Sequence, residues 1–183
     1  MIENEGGTEY AANLLDEATG LSLARPVFVS VADSSDVTNV TALTAYDVRY
    51  VVPANTLGLG SVLRFQATVR ITAANLAETI QVEARLEAVV IVQSGAEDPA
   101  PGDTVMIEGF VTSRAAAGAN IDCVGGGTII FSTGAAGTLS TPVTMADGVT
   151  LATDAAQTLD FRVVYSAAGG NTSKLESLFV WIA

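Results

Sequence analysis

The sequence of 183 residues contains no histidine. This absence removes the usual general base at neutral pH, the Ser-His-Asp and Cys-His nucleophile arrangements, and every histidine-based zinc or iron site. Paired carboxylates remain as a catalytic option, as in glycosidases. The candidate pairs are Glu83 with Glu87 and Asp98 with Asp103. Such charges in a β protein are usually solvated, and an aromatic content of 6% offers few platforms for stacking sugars. We therefore expect that the protein is not an enzyme.

Cysteine is nearly absent as well, because Cys123 is the only one and no internal disulfide can form. Its neighbours include no cation that would lower its pKa, so we predict a buried small hydrophobe. The glycines at 58, 60 and 125–127 lack the spacing of phosphate-binding loops and precede no helix, which favours strand turns or bulges. Residues 33–36 (Asp-Ser-Ser-Asp) offer oxygens suited to calcium but lack EF-hand spacing, so a capped turn is the better prediction. We expect no cofactor and no metal.

Positive charge is scarce: the sequence has eight Lys and Arg and twenty Asp and Glu, which gives a net charge of −12. Nucleic-acid binding and anionic membranes both require clustered cations, so we expect neither as a partner. No stretch approaches the roughly 18 apolar residues of a membrane span. The first five residues are acidic where a signal peptide is basic, which predicts synthesis in a cytoplasm without export. Partners should be neutral or basic surfaces, or copies of the protein itself.

What the sequence does contain is β-strand patterning from Arg25 onward. Alternating apolar and polar residues, separated by turn residues, predict about eight to ten strands. The segments are residues 26–31, 37–45, 46–52, 61–71, 79–87, 88–92, 104–112, 119–132, 140–151, 157–166 and 174–182. The continuous apolar run at 88–92 predicts a strand buried on both faces, and the glycines at 125–127 predict an interruption of their strand. We therefore expect an all-β chain, a β-sandwich or jelly roll, with residues 26–183 as one domain.

Residues 1–25 lack the β-strand pattern of the rest of the chain and form a predicted N-terminal arm. Thr8 and Gly20 suit the start and end of a short helix with one apolar face, and an extended arm is the other form. A frayed terminus is the first interpretation, because chain ends are often loose. The second is an arm that docks on a neighbouring subunit and turns its acidic residues towards a basic surface. The candidate partner-binding residues are Glu9, Tyr10, Leu14, Leu15 and Asp16.

Two segments carry a resemblance to a known family. Residues 51–65 contain P-A-N-T-L-G-L-G-S-V-L-R, a turn that opens a long predicted strand. Residues 159–172 form a late strand followed by a turn that bears Asn171. Together they resemble the jelly-roll structural proteins of tailed bacteriophages, and this resemblance covers roughly residues 45–183. Pro53, Asn55, Gly58 and Gly60 have a turn-forming role of their own, so no site residue is carried over.

The resemblance implies a capsid decoration (cement) protein on the virion surface, made in the host cytoplasm. Such a subunit would form a homotrimer on a local threefold axis of the head and bridge major capsid proteins, where several linked contacts bind with avidity. The same motif occurs in trimeric tail-fibre or tail-tip head domains that bind a host receptor, which is the alternative. Another assembly or binding β-domain is a third hypothesis. The absence of a long shaft and the few aromatic residues favour decoration.

Overall fold

The structure is a computed structural model that describes residues 14–15, 22–23, 26–75, 78–133, 137–144 and 149–183. Every helix or strand in these residues is a β-strand, which confirms the all-β prediction. The strands are β1 (Leu14–Leu15), β2 (Ser22–Leu23), β3 (Phe28–Ser30), β4 (Val37–Thr38), β5 (Thr44–Ala45), β6 (Tyr50–Val52), β7 (Val62–Ala73), β8 (Ile80–Leu86), β9 (Val89–Gln93), β10 (Thr104–Ser113), β11 (Ile121–Thr133), β12 (Gly137–Thr144), β13 (Val149–Leu151), β14 (Gln157–Tyr165) and β15 (Thr172–Ile182).

Two antiparallel sheets form the domain. The larger sheet has eight strands in the order β12-β11-β10-β7-β15-β3, with β13 beside β12 on β11 and β4 beside β3 on β15. The smaller sheet has five strands in the order β5-β14-β8-β9, with β6 beside β5 on β14. Short strands therefore share the outer edges, and the long strands β7, β10, β14 and β15 occupy the middle.

The chain crosses repeatedly between the two sheets. It passes from β3 and β4 in the larger sheet to β5 and β6 in the smaller, back to β7, across to β8 and β9, and back to β10. After β11, β12 and β13 have extended the larger sheet, β14 returns to the smaller sheet and β15 to the larger. This alternation gives a jelly roll whose larger sheet is widened by β11–β13, as the β-sandwich or jelly-roll prediction required.

Alternate residues of the long strands fill the space between the sheets. On β7, Leu63, Phe65, Ala67, Val69 and Ile71 are buried, while the residues between them are not. Phe65 meets Phe161 of β14 edge to face, with ring centroids 5.6 Å apart, which joins the two sheets at their centre. Phe28 of β3 and Tyr50 of β6 lie 5.3 Å apart by centroid and pack across one edge of the sandwich. The period-2 pattern thus determines which face of each strand is buried.

Hydrogen bonds between buried hydroxyls link the two sheets near β4 and β5. Ser173 shares a 2.7 Å bond with Tyr46 and a 2.6 Å bond with Tyr165, and the Tyr165 hydroxyl also donates to the Val37 carbonyl at 3.2 Å. Burial raises the pKa of Tyr46, and burial likewise raises the pKa of Tyr165 to about 12. Both tyrosines therefore remain protonated donors throughout the physiological pH range.

The structure corrects two local predictions. The run at 88–92 is not a strand covered on both faces, because β9 lies at the edge of the smaller sheet and Ala88 is exposed. A register shift between Ala84 and Arg85 accounts for the run, since it leaves Ile91 and Val92 adjacent and both fully buried. The glycines at 125–127 do not interrupt β11, which pairs with β10 through all three of them.

The N-terminal arm is described only in part. Leu14–Leu15 pairs antiparallel with Ser22–Leu23, so these residues take the extended form and not the helical one. Glu9, Tyr10 and Asp16, the other candidate partner-binding residues, lie outside the described residues. The arm therefore keeps its partner-binding role as a prediction.

Candidate functional site

The outward face of the larger sheet has an unusual composition for a surface. In the last strand, Leu178 and Val180 are fully buried in the core, so Phe179 and Trp181, which alternate with them, point to the opposite face. A sandwich sheet that faces water normally alternates apolar inward residues with polar outward ones. Residues 178–182 of this strand are therefore apolar on both faces, whereas its first half contains Lys174 and Glu176.

Five outward residues make up what we call the outer strip: Val27, Val29, Phe110, Phe179 and Trp181. Val29 lies opposite Phe179 in the β3–β15 register, and the Phe179 and Trp181 rings stack with centroids 6.1 Å apart. Arg64 of β7 lies opposite both Trp181 and Phe110, and so stands between these two rings. Val27, Val29 and Phe110 are 43%, 48% and 42% exposed, which is high for large apolar side chains on regular strands.

Charges beside the outer strip are largely compensated within the same sheet. Arg70 pairs with Glu176 at 3.7 Å, and Lys174 pairs with Asp33. Glu108 accepts a 3.1 Å hydrogen bond from the Gln66 amide. The face around the outer strip therefore carries little of the net negative charge of the chain.

The outward face of the smaller sheet has the opposite character. Glu83 and Arg85 of β8 form an ion pair at 2.9 Å, and Arg162 of β14 donates to both oxygens of Asp160 at 3.2 and 2.9 Å. Burial raises the pKa of Glu83, an effect that Arg85 and Arg162 partly oppose. The hydrogen bond to Asp160 raises the pKa of Arg162. These four charges form two ion pairs and give this face a polar character, although Glu83 Oε1 and Arg85 Nε make no hydrogen bond.

The candidate catalytic carboxylates are held in local structural contacts. Glu83 belongs to the ion-pair network just described. Glu87 accepts a 2.7 Å hydrogen bond from the Thr158 amide, and Asp103 accepts one of 2.7 Å from the Ala100 amide. Asp98 lies exposed in the loop before β10. A shallow depression of 460 Å³ beside the β8–β9 turn has Glu87 as the ionisable side chain in its lining. Glu83, Glu87 and Asp103 thus act as turn and strand contacts.

Cys123 takes the structural role predicted for it, whereas residues 33–36 form no turn and are held by hydrogen bonds to β15 and to Asp47. Cys123 is fully buried, and burial raises the pKa of its thiol, as expected of a small hydrophobe. Ser34 accepts a 2.8 Å hydrogen bond from the Leu175 amide through its hydroxyl oxygen, and Ser35 donates to Asp47 at 2.6 Å. Among the residues that the structure describes, no cluster of three or more His, Cys, Asp or Glu could hold a metal ion.

The two motifs that carry the family resemblance form corners of the sandwich. Asn55 and Gly60 have positive φ values of 62° and 81°, which confirms the turn role predicted for them, while Gly58 has no positive φ. Asn171 accepts a 3.0 Å hydrogen bond from the Asn75 amide, and the Asn39 side chain accepts bonds of 2.7 and 2.8 Å from the Gly170 and Asn171 amides. The hydrogen bonds of these asparagines connect neighbouring loops, so their role is structural.

The patterns of the single strands do not predict the outer strip. The signal was present in the run Leu-Phe-Val-Trp-Ile at 178–182, which leaves no polar residue for a solvated face. Periodicity alone could not separate a strand inside a sandwich from one at its surface, because both give the same continuous apolar run.

No helix in the part of the chain that the structure describes is long and apolar enough to cross a membrane.

No protein-family model matches the sequence. No curated protein matches it either. The fold is similar to that of alginate lyase Aly36B, with 9% identity and a TM-score of 0.36 over 80% of this chain and 78% of that chain. A mutant of the same enzyme in complex with alginate tetrasaccharide gives 10% identity and a TM-score of 0.31, with the same coverage. At these values the similarity carries no argument about activity.

Proposed function

We propose that the protein is a non-enzymatic virion structural protein, a capsid decoration subunit that forms homotrimers on the head surface and bridges major capsid proteins. The observation that carries this proposal is a jelly roll whose larger sheet bears the apolar outer strip on its outward face, with Val27, Val29 and Phe110 left exposed among the residues that the structure describes. Large exposed apolar patches on soluble proteins commonly mark interaction sites.

The chemistry of the described residues supports an assembly role over catalysis. Three of the four carboxylates that were candidates for acid-base work, Glu83, Glu87 and Asp103, are engaged in hydrogen bonds and an ion pair, and the only cysteine is buried. A trimer would hold three equivalent contacts to the head at once, so each contact can be weak while the whole complex binds firmly. The phage identity rests on the resemblance of residues 51–65 and 159–172.

Counting the chain in intact virions tests the proposal. We expect quantitative mass spectrometry to find on the order of hundreds of copies, and gold-labelled antibody to place them over the head. A handful of copies at the tail tip would favour the alternative, a trimeric tail-fibre or tail-tip head domain that binds a host receptor. Absence of the chain from the particle would refute both.

The docking role of residues 1–24 is tested by deleting them. The sandwich core lies within residues 26–183, so we expect the truncated chain to keep its thermal melting temperature within about 2 °C and its trimeric mass. Binding to undecorated heads should be lost, because the candidate contacts Glu9, Tyr10, Leu14, Leu15 and Asp16 are removed. A truncated chain that still binds heads normally would show that docking lies elsewhere.

A further inference from the structure

Among the residues that the structure describes, the outer strip ends at the edge of the larger sheet. β3 is the terminal strand of the larger sheet, and Val29 on it and Val27 and Val31 on either side of it are all exposed, Val31 at 74%. Natural edge strands exposed to water are usually protected by charges, prolines or bulges. Pro26 precedes β3, but its exposed side chains carry no charge. An edge with this composition is suited to being covered by another protein surface.

Charge indicates which surface covers the strip. A chain with net charge −12 repels its own copies over most of its surface. On the outer face of the larger sheet, however, Arg70 is paired with Glu176, Lys174 with Asp33, and Arg64 adds a positive charge between Trp181 and Phe110. A second copy can therefore approach here with little like-charge repulsion, whereas a basic partner would be drawn to the acidic parts of the molecule.

The face is large enough for a stable contact between two copies. Strands lie about 4.8 Å apart and rise about 3.3 Å per residue, so the outer face of this sheet has an area on the order of 1,000 Å². A standard interface requires about 800 Å² on each partner. Its centre should contain aromatic and arginine residues that lose water on binding; the outer strip contains Trp181, Phe179 and Phe110, and Arg64 lies between Trp181 and Phe110.

We propose that the outer strip forms one side of the subunit interface of the trimer and that its occupant is a second copy of this chain. This inference rests on the proposed function and identifies the surface through which the subunits associate. Trp181 and Phe179 are the central apolar contacts, and Val27 and Val29 extend the contact to the sheet edge. Arg64 lies between the rings and is partly desolvated when the second copy binds.

Two charged substitutions and one matched control test this interface. Val29→Glu and Phe110→Glu place a carboxylate within the outer strip on two different strands, and Val51→Glu places one on β6, where the valine is 53% exposed at the edge of the smaller sheet. Sedimentation equilibrium and light scattering between about 1 and 100 µM would give the dissociation constants. Trp181 is the only tryptophan, so its fluorescence emission reports burial of the strip directly.

We expect V29E and F110E to weaken association at least tenfold and to shift Trp181 emission to longer wavelength, with V51E unchanged. Circular dichroism melts of all three variants serve as the folding control. Equal association of all three variants and the wild type would overturn the outer strip as the interface. A wild-type chain that stays monomeric at the highest concentration, with concentration-independent emission, would overturn a second copy as the occupant. Counting the chain in virions tests the proposed function separately, so a failure of the proposed function can be distinguished from a failure of the proposed interface.

Discussion

At the scale of single residues, Gly127 of β11 marks a very close approach between two backbones. It lies opposite Gly109 of β10, and a Cβ placed on Gly127 would overlap the carbonyl oxygen of Glu108 and lie 2.9 Å from the Cα of Gly109. Gly109 is restricted in a different way, because the ring of Phe65 covers the position that its Cβ would take. The two glycines allow β10 and β11 to pair closely while an aromatic ring fills the space above them.

Replacing Gly127 by alanine should therefore destabilise the protein. We expect Gly127→Ala to lower the free energy of unfolding by about 2 kcal/mol or more, because the clash is with backbone that cannot rotate away. The melting temperature should fall by about 5 °C, measured by calorimetry or circular dichroism.

Gly58→Ala is the matched control for this substitution, because a Cβ at Gly58 meets nothing within 4 Å. We expect its melting temperature to stay close to that of the wild type. A G127A variant as stable as G58A would mean that β10 and β11 can separate locally without loss.

At the scale of elements, β8 and β14 share a charged outward face. Glu83 is 1% exposed although it lies on the outside of the sheet, because the charged and polar side chains around it cover it. Burial raises its pKa above the ordinary value of 4.5, so the ionised carboxylate is less favourable in the folded state than in the unfolded state. The attraction of Arg85 and Arg162 offsets only part of this effect.

The pH dependence of stability follows from the direction of that shift. Above the folded-state pKa of Glu83, its ionised form opposes folding. As the pH falls through that pKa towards 4.5, the opposition disappears, because the folded state binds the proton more tightly. We expect Glu83→Gln to be at least as stable as the wild type at neutral pH, and this advantage to shrink as the pH approaches 4.5.

Urea denaturation of E83Q and the wild type at several pH values would measure this difference. Glu108→Gln, a change at an exposed position on the larger sheet, serves as the control. A marked loss of stability in E83Q at neutral pH would show instead that the ion pair with Arg85 outweighs the burial of the carboxylate.

At the scale of the whole molecule, the net charge and the outer strip have opposite effects on self-association. The excess of twelve negative charges opposes self-association at long range, while the strip favours it at contact. Salt screens the first effect more than the second, since the Debye length shortens as ionic strength rises. We therefore expect the dissociation constant of the trimer to fall severalfold when sodium chloride is raised from about 0.05 to 0.5 M.

Sedimentation equilibrium at the two salt concentrations would test this expectation, with V51E as a control that carries a similar charge. If salt weakens association instead, ion pairs across the interface dominate, and Arg64 becomes the first residue to substitute.

Much of the fold could be predicted from the sequence. Alternation predicted β7, β8 and β14 almost to their ends, because one face of each strand meets the core and the other does not. The short edge strands were harder to predict. Residues 37–45 were expected as one strand, but the structure has β4 and β5 in different sheets, since the chain crosses the sandwich between them. Periodicity carries no information about which sheet a strand joins.

For the candidate site, the sequence by itself determined which chemistry is missing and which strand faces are apolar, because residue types and period-2 alternation are local properties. Only the tertiary structure decided that Phe179 and Trp181 lie beside Val29 and Arg64, and that Val29 on this face is exposed while the two rings are half-buried. It also decided that Glu83 is buried within a surface ion-pair network. Those neighbours come from parts of the chain far apart in sequence, and contacts across strands depend on the order and register of the sheets, which local sequence does not encode.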